Sequence, residues 1–126
     1  MRRSGLAVLS FACIALPLLA PAPSAHAQDA GEAIFKRYCQ VCHTVEAGKN
    51  KIGPSLAAIT GRKAGSVPGY SYSDANKNSG VTWDETTLDA YLTDPRKFIP
   101  GTKMLFVGLK SADDRKALIA YLKEQK

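Results

Sequence analysis

Apolar residues recur at spacings of three and four in three stretches of the chain. Ile34, Phe35, Tyr38 and Val41 form the first stripe, the pattern of an amphipathic helix with one buried side. Asp29 stands before it with Glu32 three residues on, an N-cap and a capping-box partner. Gly31, four before Phe35, leaves room for another helix to approach. The second stripe is Leu88, Tyr91 and Leu92, opened by the capping signal Thr82-Trp83-Asp84-Glu85. Asp94-Pro95 ends it, because a residue before proline avoids the helical region. The third is Leu118, Ile119, Tyr121 and Leu122, with Ser111 as cap. Asp113 and Asp114 lie at its positive end, Lys123 and Lys126 at its negative end.

The segments between are long and irregular. Glu46 to Gly53 is polar and glycine-containing, and Gly53-Pro54 fixes a turn. Leu56 to Tyr72 holds Gly61, Gly65, Pro68 and Gly69 with no sustained period, an Ω-like wrap. Ser73 to Asn78 reads as one helical turn stopped by Gly80, and Pro100-Gly101 bend the chain before Met104. No strand pattern, internal repeat or low-complexity tract is present. The expectation is an all-α fold of three main helices plus short turns and long loops. Loops of this length count against a helical assignment unless they enclose something.

The amino-terminal segment is set apart. Met1-Arg2-Arg3 is basic, Leu6 to Ala20 is an apolar run broken by Pro17, and Ala25-His26-Ala27 has the small-x-small form of a cleavage site. The run falls short of the roughly 20 residues that span a bilayer, so no stable membrane insertion is expected. Residues 1–27 are read as a cleaved signal peptide and 28–126 as one domain exported to the periplasm. Cleavage removes Arg2, Arg3 and Cys13, leaving 15 basic against 11 acidic residues, a charge of +4. That modest excess suits an acidic protein partner. The bases form no long run and no aromatic-interleaved motif, which speaks against nucleic acid.

Cys39-Gln40-Val41-Cys42-His43 carries the chemistry. Cysteines at i and i+3 face one way on a helical turn, so both sulfurs can reach the vinyl groups on one porphyrin edge. The adjoining imidazole then serves as proximal iron ligand, the pattern of c-type haem attachment. A thioredoxin-like dithiol would need a βαβ setting, which the chain lacks. Tetrahedral zinc would need a fourth ligand, for which Asp29 or Glu46 could serve, but adjacent Cys42 and His43 are awkward for a single tetrahedron. After cleavage His43 is the sole histidine and Met104 the sole methionine. Met104 is therefore the candidate sixth ligand, its ordinary alternative being a gap-filler in the core. Nitrogen and sulfur together leave no open position on iron, which suits single-electron transfer rather than oxygen chemistry.

Gly53-Pro54, Gly61-Arg62-Lys63, Tyr70 to Lys77, Thr82-Trp83 and Tyr91-Leu92 through Met104 resemble a class I cytochrome c, of mitochondrial-like, short bacterial periplasmic type. The resemblance runs over nearly all of Ala30 to Lys123 and implies a fold wrapped around one haem c attached through Cys39 and Cys42. It implies His43 and Met104 as axial ligands, and Pro54 as the carbonyl accepting from the other ring nitrogen of His43. Tyr72 and Trp83 would donate to a haem propionate, Arg62 would offset its charge, and Thr102 would face a propionate. Tyr91 and Asn76 would order the polar surroundings of the Met104 sulfur. Gly31 and Phe35 would cross Leu118 and Tyr121. The chain departs from the pattern at Tyr38, where relatives often have lysine, at Asn50 for a common histidine, and at Phe98 for a frequent tyrosine. Its segment between His43 and Gly53 is also one residue shorter.

The function expected is a monomeric one-electron carrier, not an enzyme, shuttling between respiratory or photosynthetic complexes. Its partners would be acidic docking surfaces such as those of a cytochrome bc complex, a terminal oxidase or a reaction centre. Lys36, Arg37, Lys49, Lys51, Arg96, Lys97 and Lys103 are the candidate docking bases. A haem peroxidase-like enzyme and a cytochrome subunit of a dehydrogenase are the alternatives.

Overall fold

The structure, a computed structural model, describes residues 25–126. Residues 1–24 of the expected leader lie outside them, and its last three, Ala25 to Ala27, open the first helix. Helices α1 (Ala25–Tyr38), α2 (Asp74–Lys77), α3 (Glu85–Thr93), α4 (Pro95–Phe98) and α5 (Ala112–Lys123) follow in order. Among the described residues the β-type pairing is an isolated antiparallel bridge, Lys63 to Thr82. No helix among them is long and apolar enough to cross a membrane.

Three boundaries differ from the sequence expectation. Helix α1 begins at Ala25, so Asp29 lies inside it and is not its cap. Ala25 to Gln28 contains good helix formers and no breaker, so the helical turn continues upstream of the capping signal. Glu32 pairs with Lys36 at 2.7 Å instead of reaching back to a cap. Helix α3 is capped by Asp84, not Thr82. The Asp84 carboxylate accepts from Thr87 N, and the Thr87 hydroxyl accepts in return from Asp84 N. Asp94 does end α3, but it also starts α4: its carboxylate accepts from Lys97 N at 3.2 Å, with Pro95 at the first helical position. A stop signal therefore doubles as a start signal. Helices α2 and α5 lie where expected, with Ser73 and Ser111 as caps.

Helix α1 packs across α5, and α3 packs against α4 and α5. The α1–α5 crossing depends on Gly31, where an added Cβ would lie 2.2 Å from the Ala117 carbonyl oxygen and 2.5 Å from Tyr121 Cβ. Phe35 and Tyr121 close the crossing with ring centroids 5.7 Å apart. Leu118 is fully buried beneath them, in one cluster with Ile119, Leu122, Leu88, Leu92 and Trp83. Arg115 ties α5 to α3 by an ion pair to Asp89 at 2.6 Å and holds the Leu109 and Lys110 carbonyls.

Two loops complete the body. The 44–82 belt is pinned by Asn50, whose side chain donates to Pro68 O and accepts from Ser55 N. The 95–108 segment closes at its base, where Leu109 N donates to Leu92 O at 2.7 Å. Gly108 at φ 100° comes so near that a Cβ would meet Thr93 O at 2.1 Å.

Candidate functional site

Between the two loops and the α1 C-terminus lies a cavity of about 450 Å3, within the size range of small-molecule and cofactor sites. All eleven residues singled out in the sequence line it: Cys39, Cys42, His43, Pro54, Arg62, Tyr72, Asn76, Trp83, Tyr91, Thr102 and Met104. They come from five separate segments, so only the fold brings them together.

The cysteines arrive from the last turn of α1. Helical hydrogen bonding runs on past Tyr38, with Cys39 N and Gln40 N both donating to Phe35 O. His43 N then donates to Cys39 O at 2.8 Å, placing the imidazole one turn beyond the first sulfur. Burial, with a smaller contribution from Cys42, pushes the Cys39 thiol up to about 11. A reactive dithiol needs the opposite shift, so the thioredoxin-like reading loses its chemistry.

His43 is held on both sides. Its Nδ1 lies 2.7 Å from Pro54 O, so Nδ1 carries the proton and Nε2 keeps its lone pair. Gly53 lies against the ring, and a Cβ there would fall 2.3 Å from Cε1. Burial lowers the imidazole pKa, partly opposed by the Pro54 hydrogen bond; Arg62 and Lys51 push it lower still. The neutral ring is the form that binds a metal.

The polar residues form two groups. Arg62 donates to Ala57 O and Ser55 O through its two terminal nitrogens, while its Nε is buried with no partner. The Tyr72 hydroxyl accepts from Val67 N at 3.2 Å, which leaves its proton free to donate. The Trp83 indole is buried, and backbone bonds Trp83 N to Arg62 O and Gly61 N to Trp83 O hold it beside Arg62. On the other wall, Tyr91 Oη lies 3.0 Å from Thr102 Oγ1, which also accepts from Met104 N. Asn76 Oδ1 is buried without a partner.

These features fit a haem. The wall is apolar, as a porphyrin requires, with Ile52, Ile59, Leu88, Leu92 and Phe106 joining the anticipated residues. Sequence reasoning did not single out those five as cavity residues, since an apolar side chain facing a cofactor looks like one facing a core. Two thiols, an imidazole and a thioether form a matching donor set. Two buried polar atoms without partners, Arg62 Nε and Asn76 Oδ1, mark where polar substituents belong. Arg62 and Lys103 are the charged residues of the lining, which contains no carboxylate. A group carrying negative charge is therefore favoured there.

Among the expected docking bases, two are paired with carboxylates and two hydrogen-bond carbonyls while keeping their charge. Lys36 and Lys49 are engaged by Glu32 and Glu46, and Lys51 and Lys103 donate to the Gln40 and Ser71 carbonyls.

Comparison with known proteins agrees with the geometry. The sequence profile of the family described as Cytochrome c matches residues 28–126. A cytochrome c of Gibberella zeae is 60% identical over 95 residues, covering 75% of this chain and 90% of that protein. Cytochrome c2 iso-2 of Magnetospirillum molischianum is 59% identical over 88 residues, covering 70% and 91%. Cytochrome c type-1 of Ascaris suum is 53% identical over 97 residues, covering 77% and 87%. The chain thus belongs to the cytochrome c family: it is an all-α electron-transfer protein, not an enzyme, with one haem c held covalently through Cys39 and Cys42.

Proposed function

We propose that this protein is a periplasmic one-electron carrier whose haem iron is held between His43 and Met104. In this reading residues 1–27 are an export signal, and residues 28–126 shuttle between respiratory or photosynthetic complexes as a monomer. The haem supplies a ferric/ferrous couple. The chain's own residues set its surroundings. His43 presents Nε2 because Pro54 O holds the Nδ1 proton, and a hydrogen-bonded imidazole is the better ligand. Met104 follows the Pro100-Gly101 bend, with its backbone N–H secured by Thr102. Tyr72 has a proton to donate, and Arg62 Nε and Trp83 stand beside it as propionate partners. Asn76 and Tyr91 would fix the polarity near the sulfur. Removal of the leader would leave Gln28 and Asp29 at the start of α1, giving Asp29 the capping role the precursor helix denies it.

One observation carries the reading. The only histidine and the only methionine of residues 28–126 arrive at one apolar cavity from segments 61 residues apart in sequence, together with both cysteines. The test is intact mass and optical spectroscopy of protein matured in a host with haem-attachment machinery and recovered from its periplasm. The expected mass is that of residues 28–126 plus one haem. The ferric protein should show the weak far-red sulfur-to-iron band. Loss of that band at neutral pH, with turnover of peroxide, would replace the carrier reading by a peroxidase-like one. Co-elution with a large dehydrogenase would replace it by a subunit role.

A further inference from the structure

The peptide unit that joins Ala57 to Ala58 carries a hydrogen bond on each edge. Its carbonyl accepts from Arg62 Nη1 at 2.8 Å, and its N–H donates to the Gln125 carbonyl at 2.8 Å. A trans peptide is planar and stiff, with its N–H and C=O directed oppositely, and no peptide bond among the described residues is cis. The two partners therefore share control of one plane. Gln125, just beyond α5, holds one edge, and the guanidinium that lines the haem cavity holds the other.

The plane is held under strain. Ala58 has φ 50° and is, among the described residues, the one non-glycine residue with a positive φ. A side chain disfavours that conformation, which persists only where the surroundings impose it. Turning the plane over would return Ala58 to a negative φ and carry the Ala57 carbonyl away from Arg62. The bonds at the two edges oppose that turn. Gln125 is fixed in its own right, since its N–H donates to Leu122 O at 3.2 Å and its Nε2 to Tyr121 O at 3.0 Å. Arg62 has a second anchor, Nη2 to Ser55 O at 3.0 Å, and its Nε is buried without a partner.

We propose that Gln125 is a positioning residue for electron transfer: through the 57–58 peptide plane its carbonyl fixes Arg62 and so holds up the reduction potential. The proposal rests on the reading of Arg62 as the partner of a haem propionate. The guanidinium is a flat, rigid fork, so its anchors at Ala57 and Ser55 together set the direction of Nε–H. With the Ala57 anchor gone, the fork pivots about Ser55 and its charge withdraws from the cavity. A positive charge close to the haem opposes the more positive ferric state and raises the potential. Hydrogen bonds in series also polarise one another, so the Gln125 carbonyl strengthens the grip of Ala57 on Arg62.

The test uses the holoprotein, with two variants. Gln125→Gly removes the amide tie to Tyr121 without changing charge, and deletion of residues 125–126 removes the accepting carbonyl. In the ferrous, diamagnetic state the Ala58 amide should exchange roughly fivefold faster in the deletion, and by a smaller factor in Gln125→Gly. The Arg62 Nε–H resonance should move and the midpoint potential should fall, while the ferric far-red band stays in place. Combined with Arg62→Gln, neither change at Gln125 should move the potential beyond where Arg62→Gln alone puts it. Faster Ala58 exchange with an unmoved Arg62 resonance and potential overturns the proposal, as does Ala58 exchange unaffected by the deletion. An equal fall in potential with and without Arg62 overturns it too, because Gln125 would then act by charge or general loosening. Should the deletion fail to fold, Gln125→Gly decides by the same readouts. If Arg62→Gln alone keeps the wild-type potential, the propionate role of Arg62 is refuted, and this proposal falls with it.

Discussion

Gly31 and Gly53 are both pressed against a neighbour that leaves no room for a methyl group, and the neighbours differ in kind. At Gly31 the obstruction is the backbone of α5, 2.2 Å from where a Cβ would sit. At Gly53 it is the His43 ring, at 2.3 Å. The α1–α5 crossing is thus sealed by protein against protein. The cavity wall is shaped by protein against the His43 ring, with Arg62 Nε and Asn76 Oδ1 left for something else to satisfy. The same steric device sets stability in one region and orientation in the other.

Substitution at the two glycines should separate these roles, and the largest effect is expected at the crossing. A Gly31→Val variant should lose about 3 kcal/mol of unfolding free energy, because a main-chain carbonyl cannot turn aside as a side chain can. The far-red band of its folded fraction should be unchanged. A Gly53→Ala variant should lose less stability, about 1–2 kcal/mol, but shift that band and the midpoint potential. Denaturant melts and voltammetry on both variants decide the matter. Parallel changes in the two readouts would erase the distinction between the regions.

Tyr91→Phe sharpens the contrast within the wall. It removes the hydroxyl that meets Thr102 Oγ1 at 3.0 Å, a loss of about 1 kcal/mol. Thr102 in turn holds the Met104 backbone, so the midpoint potential should move while the α1–α5 helical signal does not. Differential scanning calorimetry alongside voltammetry measures both.

The contrast also explains which parts of the molecule were legible in the sequence. Helix α5 was legible because cap, charge order and apolar stripe agree on one answer, Ser111 to Lys123. The start of α1 was not, because Asp29 offers a cap while Ala25 to Gln28 offer a continuing helix, and local chemistry does not rank them. Helix α4 was hidden because a single turn begun by proline has the same letters as a helix end. In the site, Cys39, Cys42 and His43 were legible from spacing alone. Ile52, Ile59 and Phe106 were not, since apolarity says a residue is covered without saying by what. The orphan nitrogen of Arg62 exists only in three dimensions: it appears once Ser55 and Ala57 have claimed the other two.

Smaller effects test the loop belt. Ala58 has φ 50°, a left-handed conformation that costs a residue with a Cβ about 1–2 kcal/mol. Ala58→Gly should therefore raise stability by about 0.5 kcal/mol after glycine's own entropy is counted, seen as a small rise in Tm with an unaltered spectrum.

A pH-dependent effect is expected at Asp84. The Thr87 N–H and hydroxyl hold its carboxyl below the usual carboxylate range. Because the folded value is the lower one, the cap's contribution is present above the ordinary carboxylate pKa and is lost as pH falls through the depressed one. The Tm gap between wild type and Asp84→Ala should therefore be widest near neutrality and narrow on acidification below about pH 4. A gap that holds constant into acid would mean the cap acts without its charge.

The closure of the 95–108 segment has a mechanical meaning. Leu109 is bonded back to Leu92 and Gly108 is wedged on Thr93, so the two feet of this strap stand side by side on a footing that belongs to the helices. Helix α4 and Ile99 lie between the feet and are packed into the helical body. Slack taken up or let out beyond them, from Pro100 to Val107, would therefore pull little on α3 or α5. On the proposed ligation by His43 and Met104, it would be felt first at the Met104 sulfur, making the strap a tuning peg for the metal rather than a strut of the building.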